Sequence, residues 1–355
     1  MRSIKERGDV RERRHWARTI RDEKGLSLWA RLAMVAAAWI LSVVAASVLD
    51  STAIYVGTSI AIWAILASGL NVSVGYAGQL NLANGAFFAL GAYWSVLGTR
   101  HYEWTALPVF AVAILSAVII SAIISLLVLR ARGLYFALLT AGISIVVDSV
   151  LILWSSVTGG STGLSLAGPD FKNPDLDFVI FKLSEPQHYF VAAIWVLTLI
   201  VFAITVCSRR GVLFVWTAVR DDEELAASVG IRATAARRSA FIFSSAVAAI
   251  AGVLFAHWVG YVSPGTFAFA VASVMPLAMI IIGGSGTMMG PIIGAVIVMG
   301  APEVSRQLES YAVLVFGALL LLVILLAPGG VVGSVRDGLG SLQERRKHGR
   351  QVNNA

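Results

Sequence analysis

Runs of about twenty apolar residues, following one another with little between them, constrain this chain more than any other feature. A helix needs about 20 mostly apolar residues to cross a bilayer. Stretches of that kind cover residues 28–49, 53–70, 82–99, 105–129, 134–154, 188–206, 239–260 and 311–327. Residues 267–303 are too many for one crossing and are interrupted by Gly283-Gly284-Ser285-Gly286, so they read as two short ones. The expected fold class is all-α, a polytopic membrane helix bundle of about ten transmembrane helices.

Composition agrees. Of the 355 residues 58% are hydrophobic and 13% charged, whereas a soluble domain carries about 25% charged residues. The net charge of +7 raises the question of nucleic acid, and the distribution answers it. The basic residues cluster at the two ends and in short loops between apolar runs, the pattern of the positive-inside rule; no nucleic-acid partner is expected. Ten crossings put all four basic clusters on one side: the N-terminal segment, Arg130 with Arg132, the loop holding Arg209, Arg210, Arg220, Arg232, Arg237 and Arg238, and the tail from Arg336 to Arg350. That side is read as the cytoplasm. The chain divides into a basic N-terminal segment (1–27), a membrane domain (28–333) and a polar tail (334–355). An external loop spans 155–187, where Pro169, Asn173-Pro174 and Pro186 argue for irregular structure. A cytoplasmic loop spans 208–238. The first apolar run is too long for a secretory leader and should remain as a helix. The Arg-rich N-terminal segment suits attraction to anionic membrane lipid. The single cysteine, Cys207, has no disulfide or metal partner in the sequence.

The cytoplasmic loop contains a short helix with both ends specified. Asp221 is expected to cap it, with Glu224 at capping-box spacing. Asp222 and Glu223 suit the helix dipole at that end, and Gly230 fits a left-handed stop. Leu225, Ala226 and Val229 give a small apolar face, and Ala226 and Ala227 would let another protein approach closely. Two readings fit, a docking element for a partner and an amphipathic helix lying on the membrane.

Residues 71–85 are unusual for membrane depth, combining Asn71, Gln79, Asn81 and Asn84 with Gly75, Gly78 and Gly85. Irregular polar backbone in hydrocarbon is tolerated only where protein buries it or where it lines a cavity; a loop at the membrane surface is the other reading. The run Gly283–Pro291 breaks a second apolar stretch. Interrupted segments in both halves of a chain point to a substrate path; Gly284 and Ser285 join the candidates for it. Gly286, Gly290 and Gly294 are four apart, a spacing for close helix packing. Direct solute contact is the alternative for these glycines. The run has no Gly-Lys-Ser/Thr, so it is not a phosphate loop, and any ATP site must be on another chain. Tyr135 and Thr140 are candidates to line the path or to pack. Asp148 lies within an apolar run, where a charged carboxylate costs roughly 2.5–3.5 kcal/mol. It fits a structural pair or a protonated hydrogen bond, an interfacial position, or a direct role in transport. His257 and Trp258 suit an outer helix end.

Several segments together resemble the branched-chain amino acid ABC transporter permease family, of the LivM type. They are 69–81 (Gly-Leu-Asn through Gly-Tyr-Ala-Gly-Gln-Leu-Asn), 133–140 (Gly-Leu-Tyr-Phe-Ala-Leu-Leu-Thr), 158–164, 262–264, 282–287 and 328–330. The helix 224–230 resembles the Glu-Ala-Ala-x-x-x-Gly signature of ABC importer permeases, with Leu225 in place of the first Ala. The resemblance implies ABC importer permease architecture, a second LivH-like permease subunit, two cytoplasmic ATPase subunits and an external solute-binding protein. It implies no catalytic residue, metal or cofactor in this chain, ATP and Mg belonging to the ATPases. It implies a bacterial inner-membrane location with both termini cytoplasmic. Where the family often carries Gly-Glu-Ile-x-Arg, this chain has Gly142-Ile143-Ser144 and then Asp148. The solute implied is therefore a branched-chain amino acid or a related small solute, with urea or short amides as an alternative. An ion-coupled secondary carrier is a second alternative. It would need ionisable groups deep in the membrane, and Asp148 stands nearly alone. An embedded enzyme would need a convergent nucleophile and base or a metal cluster, which the sequence does not offer.

Overall fold

The computed structural model describes residues 39–102, 104–131, 133–166, 177–178, 181–182, 186–305 and 330–333. The last expected crossing (311–327), residues 28–38 of the first, the N-terminal segment (1–27) and the tail (334–355) lie outside the described residues. The helices, in chain order, are α1 (Trp39–Val48), α2 (Ser51–Asn71), α3 (Asn84–Tyr102), α4 (Ala106–Val128), α5 (Leu134–Leu153), α6 (Pro186–Arg209), α7 (Val212–Asp221), α8 (Glu223–Ser228), α9 (Ala233–Val259), α10 (Met275–Gly283) and α11 (Gly290–Ser305). Two π-helical stretches, Val72–Tyr76 and Ala270–Val274, extend α2 and precede α10. Six of the described segments are long and apolar enough to cross a membrane. The protein is an all-α, multi-pass helix bundle.

The bundle is built around α9, which packs on α3, α4 and α2. Small residues make this possible. Ala240, Ser244, Ala248, Gly252 and Ala256 recur every four residues on α9 and are all buried, so they form one stripe along the helix. Gly252 lies against the Phe88 carbonyl of α3, and Gly91 of α3 lies against the Ala249 carbonyl of α9. A β-carbon at either glycine would overlap the other helix's backbone, so each helix supplies the gap its neighbour occupies. With no hydrophobic drive between helices in lipid, such close backbone packing is a main source of association. Beside this crossing Phe267 packs edge to face on Phe88 and on Phe255, whose rings are tilted to each other, with centroids 5.2–6.1 Å apart.

α2 is the second central helix, contacting α6, α10 and α11 as well as α9. α5 differs. Phe136, Ala137, Thr140, Ser144 and Leu151 are buried, while Leu134, Tyr135, Leu138, Ile145, Val146 and Leu153 are exposed. It therefore sits on the rim of the bundle with one apolar face uncovered.

Two boundaries differ from the sequence expectation. The third crossing begins as a helix only at Asn84, because residues 78–83 run without helical bonding. Pro186 opens α6 rather than punctuating the loop before it; a first-turn proline loses no helical hydrogen bond. In the described part of that loop Ser155–Thr158 forms one helical turn and β1 (Leu164–Ser165) follows. Asp177–Phe178 (β2) and Phe181–Lys182 (β3) form a small hairpin. β1 pairs antiparallel with β4 (Tyr261–Val262), just beyond α9. α9, at 27 residues, is about 40 Å long. The β1–β4 pair therefore lies at one end of the bundle, and α7, α8 and their arginines lie at the other.

Candidate functional site

At that basic end α2 does not stop cleanly. It passes through the π turn 72–76, reverses at Gly78 (φ 68°) and returns as the irregular segment 79–83 before α3 begins. The Gln79 N–H still donates to the Ser73 carbonyl of the π turn at 2.8 Å; further along, hydroxyl groups of neighbouring helices take the place of helical bonding. The Leu82 N–H donates to Thr140 Oγ1 at 3.1 Å, and Ser144 Oγ donates to the Leu82 carbonyl at 2.8 Å. The Gly85 N–H donates to Ser273 Oγ at 3.1 Å, and Ser273 in turn lies 3.2 Å from Ser144 Oγ. Asn81 Oδ1 accepts the Ala83 N–H at 2.9 Å, and Asn84 Oδ1 accepts from Ser244 Oγ at 3.2 Å. Each of these groups left unpaired in hydrocarbon would cost several kcal/mol. Side chains alternate along the segment. Gln79, Asn81 and Ala83 are buried while Leu80 is exposed and Leu82 half-buried. Both amide ends of Gln79 and the Asn81 Nδ2 are buried without a partner among the described residues.

The second break meets the first. α10 ends at Gly283, and residues 284–289 turn before α11 starts at Gly290. Asn71 closes the gap with both ends of its amide: Nδ2 donates to the Thr287 carbonyl at 2.9 Å, and Oδ1 accepts the Gly286 N–H at 2.8 Å. A β-carbon on Gly75 would overlap both Asn71 Oδ1 and Gly286 N, so only glycine leaves room for this clasp. Thr287 Oγ1 donates to the Gly284 carbonyl at 2.8 Å and accepts the Gly290 N–H at 3.0 Å, which staples the turn to the start of α11. Gly290 and Gly294 lie against the backbone of Gly284 and Met279, where α10 and α11 cross. Gly330 lies against Gly284. Gly286 does not belong to the helical stripe expected from its spacing. It precedes α11 and sits at φ 71°, a conformation natural to glycine, with its N–H held by Asn71.

The short helix α8 lies at the same end. Its cap is Asp222, not the expected Asp221, because Asp221 is the last residue of α7 and Asp222 is extended (φ −157°, ψ 106°). Asp222 Oδ1 accepts the N–H groups of Glu224 and Leu225, both at 3.0 Å. At the far end the Gly230 N–H donates to Ala227 O and the Ile231 N–H to Ala226 O, each at 3.0 Å, the Schellman arrangement with Gly230 at φ 86°. Glu223 pairs with Arg237 of α9 at 2.8 Å, and Ala226 is buried beneath the helix. Leu225 and Val229 point away and are 64% and 71% exposed. Glu224 and Ala227 are exposed beside them.

The remaining candidates scatter. Thr140 belongs to the first break, as described. Gly284 is buried in the second break, and Ser285 is exposed at its tip. Tyr135 is 74% exposed on the outer face of α5. Asp148, half-buried on the same helix, makes no hydrogen bond or ion pair among the described residues. His257 is buried, its Nδ1 2.9 Å from Val253 O. Sequence reasoning did not single out Ser144, Ser244, Ser273, Thr287 or Arg220. The four-residue step from Thr140 to Ser144 was the one available signal for a polar stripe on α5.

A multi-pass bundle in which α2 and the α10–α11 pair break and join at one end, beside a short capped helix, has the build of a membrane permease. The chain belongs to the family of branched-chain amino acid transport system permease components, whose model matches residues 52–324. It is 32% identical over 328 residues to the high-affinity branched-chain amino acid transport system permease protein LivM of Salmonella typhimurium, covering 87% of this chain and 75% of that protein. To LivM of Escherichia coli it is 33% identical over 304 residues, 80% of this chain and 71% of the relative. To LivH of Salmonella typhimurium, a second permease protein, it is 26% identical over 287 residues, 76% and 91% of the two chains. No solved structure matches it. The chain is thus a transport subunit of an ABC system and not an enzyme.

Proposed function

We propose that this chain is the LivM-type subunit of an ATP-driven importer for branched-chain amino acids or a related small solute. In this reading it pairs with a LivH-like permease, two ATPase subunits dock on the cytoplasmic side, and an external binding protein delivers the solute. ATP and Mg act on the ATPases, and this chain holds no cofactor. Both termini and the basic end of the bundle face the cytoplasm.

The observation that carries the coupling is α8. A six-residue helix capped at both ends and anchored by Glu223–Arg237 holds its backbone rigid while presenting Leu225 and Val229 outward. Lying on lipid would bury that pair as well, but Glu224 is exposed beside it, and a protein cleft accommodates a carboxylate better than the bilayer does. Because α8 stands at the end where α2 breaks and α10 turns into α11, an ATPase that moves it acts close to the weakest backbone in the bundle. The route itself is proposed to run beside segment 79–83 and the outer face of α5, with the second permease completing it. Asp148 supports that placement: on a face left to lipid its charge would cost roughly 2.5–3.5 kcal/mol, a cost that a partner chain or a hydrated path removes.

Co-purification tests the reading. The chain should bring down two ATPase subunits, and Glu224→Arg or deletion of residues 221–230 should release them. Uptake that survives the deletion with no ATPase present would overturn it. Asp148 stands where the family often carries a basic residue, which leaves urea or a short amide as a second reading of the solute. Stimulation of ATP hydrolysis by urea or short amides, with leucine inactive, would select that reading.

A further inference from the structure

Arg220, the penultimate residue of α7, reaches out of the cytoplasmic loop into the broken end of α2. Its Nη1 donates to the Gly75 carbonyl. That carbonyl is one of the last of a continuous helical segment, Ser51–Tyr76, where no following turn supplies donors and the helix dipole favours a cation. The bond is charge-assisted and so among the stronger kinds. Gly78 completes the seat. It turns at φ 68°, and a β-carbon there would lie 2.7 Å from Arg220 Cγ, so the reversal of the chain wraps around the arginine's stem.

The base of Arg220 is fixed as well. Trp216, one turn earlier on α7, donates from Nε1 to Ser239 Oγ of α9 at 2.8 Å, and Val219 is buried. Asp222, two residues later, is the cap of α8. One short stretch of chain thus holds the docking helix at one end and the broken helix at the other. Beyond Gly75 the same π turn is clasped through Asn71 to Gly286 and Thr287. The contacts run without a gap from α8 through Arg220 to the first break and on to the second.

We infer that Arg220 is a positioning residue that latches the docking helix to the two broken helices, so that displacement of α7 and α8 by the ATPases moves segment 77–85 and the turn 284–289 together. The inference rests on the ATP-driven reading and adds how the movement crosses from the loop into the membrane. A methionine keeps the apolar stem and loses the fork; a lysine keeps the charge and one donor at a time.

The test uses the complete complex in proteoliposomes, measuring labelled leucine imported per ATP hydrolysed. Arg220→Met should lower this ratio about tenfold, within the usual range of coupling between sites, while the ATPases still co-purify. Arg220→Lys should recover part of the loss. A wild-type ratio in Arg220→Met overturns the latch. If Arg220→Met does not assemble, hydrogen exchange on the unmutated complex decides. Protection of residues 77–85 and 212–230 should change together between nucleotide-free and ATP-bound states, and a change confined to 212–230 overturns the latch. Import by the unmutated complex that needs no ATP would instead overturn the ATP-driven reading, and the latch with it.

Discussion

Asn71 shows how much one side chain carries here. Its amide makes two hydrogen bonds across 215 and 216 residues of sequence, joining the two breaks directly. Asn71→Leu would strand the Gly286 N–H and remove the partner of the Thr287 carbonyl; leaving such groups unsatisfied costs about 1–3 kcal/mol each. Thermal unfolding of the purified protein in detergent should register this as a lower midpoint, and an unchanged midpoint would deny the clasp. Asp222→Ala should cost about 1 kcal/mol of helix stability, seen as faster amide exchange in residues 223–228 with the membrane helices unaffected. At this scale the sequence was partly readable. An asparagine in a hydrophobic run advertises itself, because only a partner repays its burial. Serine and threonine do not, since either can satisfy its hydroxyl on its own helix, as Thr198 does with Ile194 O. Ser144, Ser244 and Ser273 were therefore silent until segment 79–83 was placed beside them. The cap shifted from Asp221 to Asp222 for a local reason: two adjacent aspartates both fit the pattern, and α7 claims the first.

Among the elements, α9 and the helix pair α3–α9 determine whether the bundle closes. Gly252→Leu forces a side chain into the Phe88 carbonyl. Overpacking of this kind costs about 1–3 kcal/mol, sometimes more, and here the obstacle is backbone rather than a side chain that can swing aside. The variant should aggregate on detergent extraction or melt well below the parent, whereas Gly300→Leu, with nothing within 4 Å of its β-carbon, should melt near it. The existence of the crossings was legible from apolar run length alone. Their packing was not, although the four-residue stripe from Ala240 to Ala256 was present to be read. Hydropathy weighs alanine and glycine only as apolar residues and carries nothing about how closely two backbones approach. The second break was legible because glycines interrupt an apolar run. The first π turn, Val72–Tyr76, was not, since it depends on the clasp between Asn71 and a distant segment, for which Gly75 only leaves room. The second has a cause in sequence: Pro276 cannot donate to the carbonyl four residues earlier, which loosens the helix at Ala270–Val274.

For the whole molecule, the account places one end of the bundle, with α7, α8 and both breaks, in the cytoplasm and the β1–β4 end outside. The arrangement of contacts requires these two groups to lie about 40 Å apart along α9; the basic clusters decide which faces inward. The single native cysteine makes this testable, because Cys207→Ser gives a cysteine-free chain. On that background Ser165→Cys should react with an impermeant maleimide added to intact cells, and Ser228→Cys only after the membrane is opened; the reverse pattern would invert the topology. The family was legible from ordered glycine motifs, but the meeting of segments 71–85 and 283–290 was not, since no pattern in either run names the other as its neighbour. The central claim is that ATP hydrolysed on partner subunits drives solute past this bundle through α8. The most direct measurement is labelled leucine uptake into proteoliposomes holding this chain, its partner permease, the ATPases and the binding protein. The account predicts accumulation that requires ATP and disappears when residues 221–230 are deleted. Accumulation driven by an imposed ion gradient, with the ATPases absent, would contradict it.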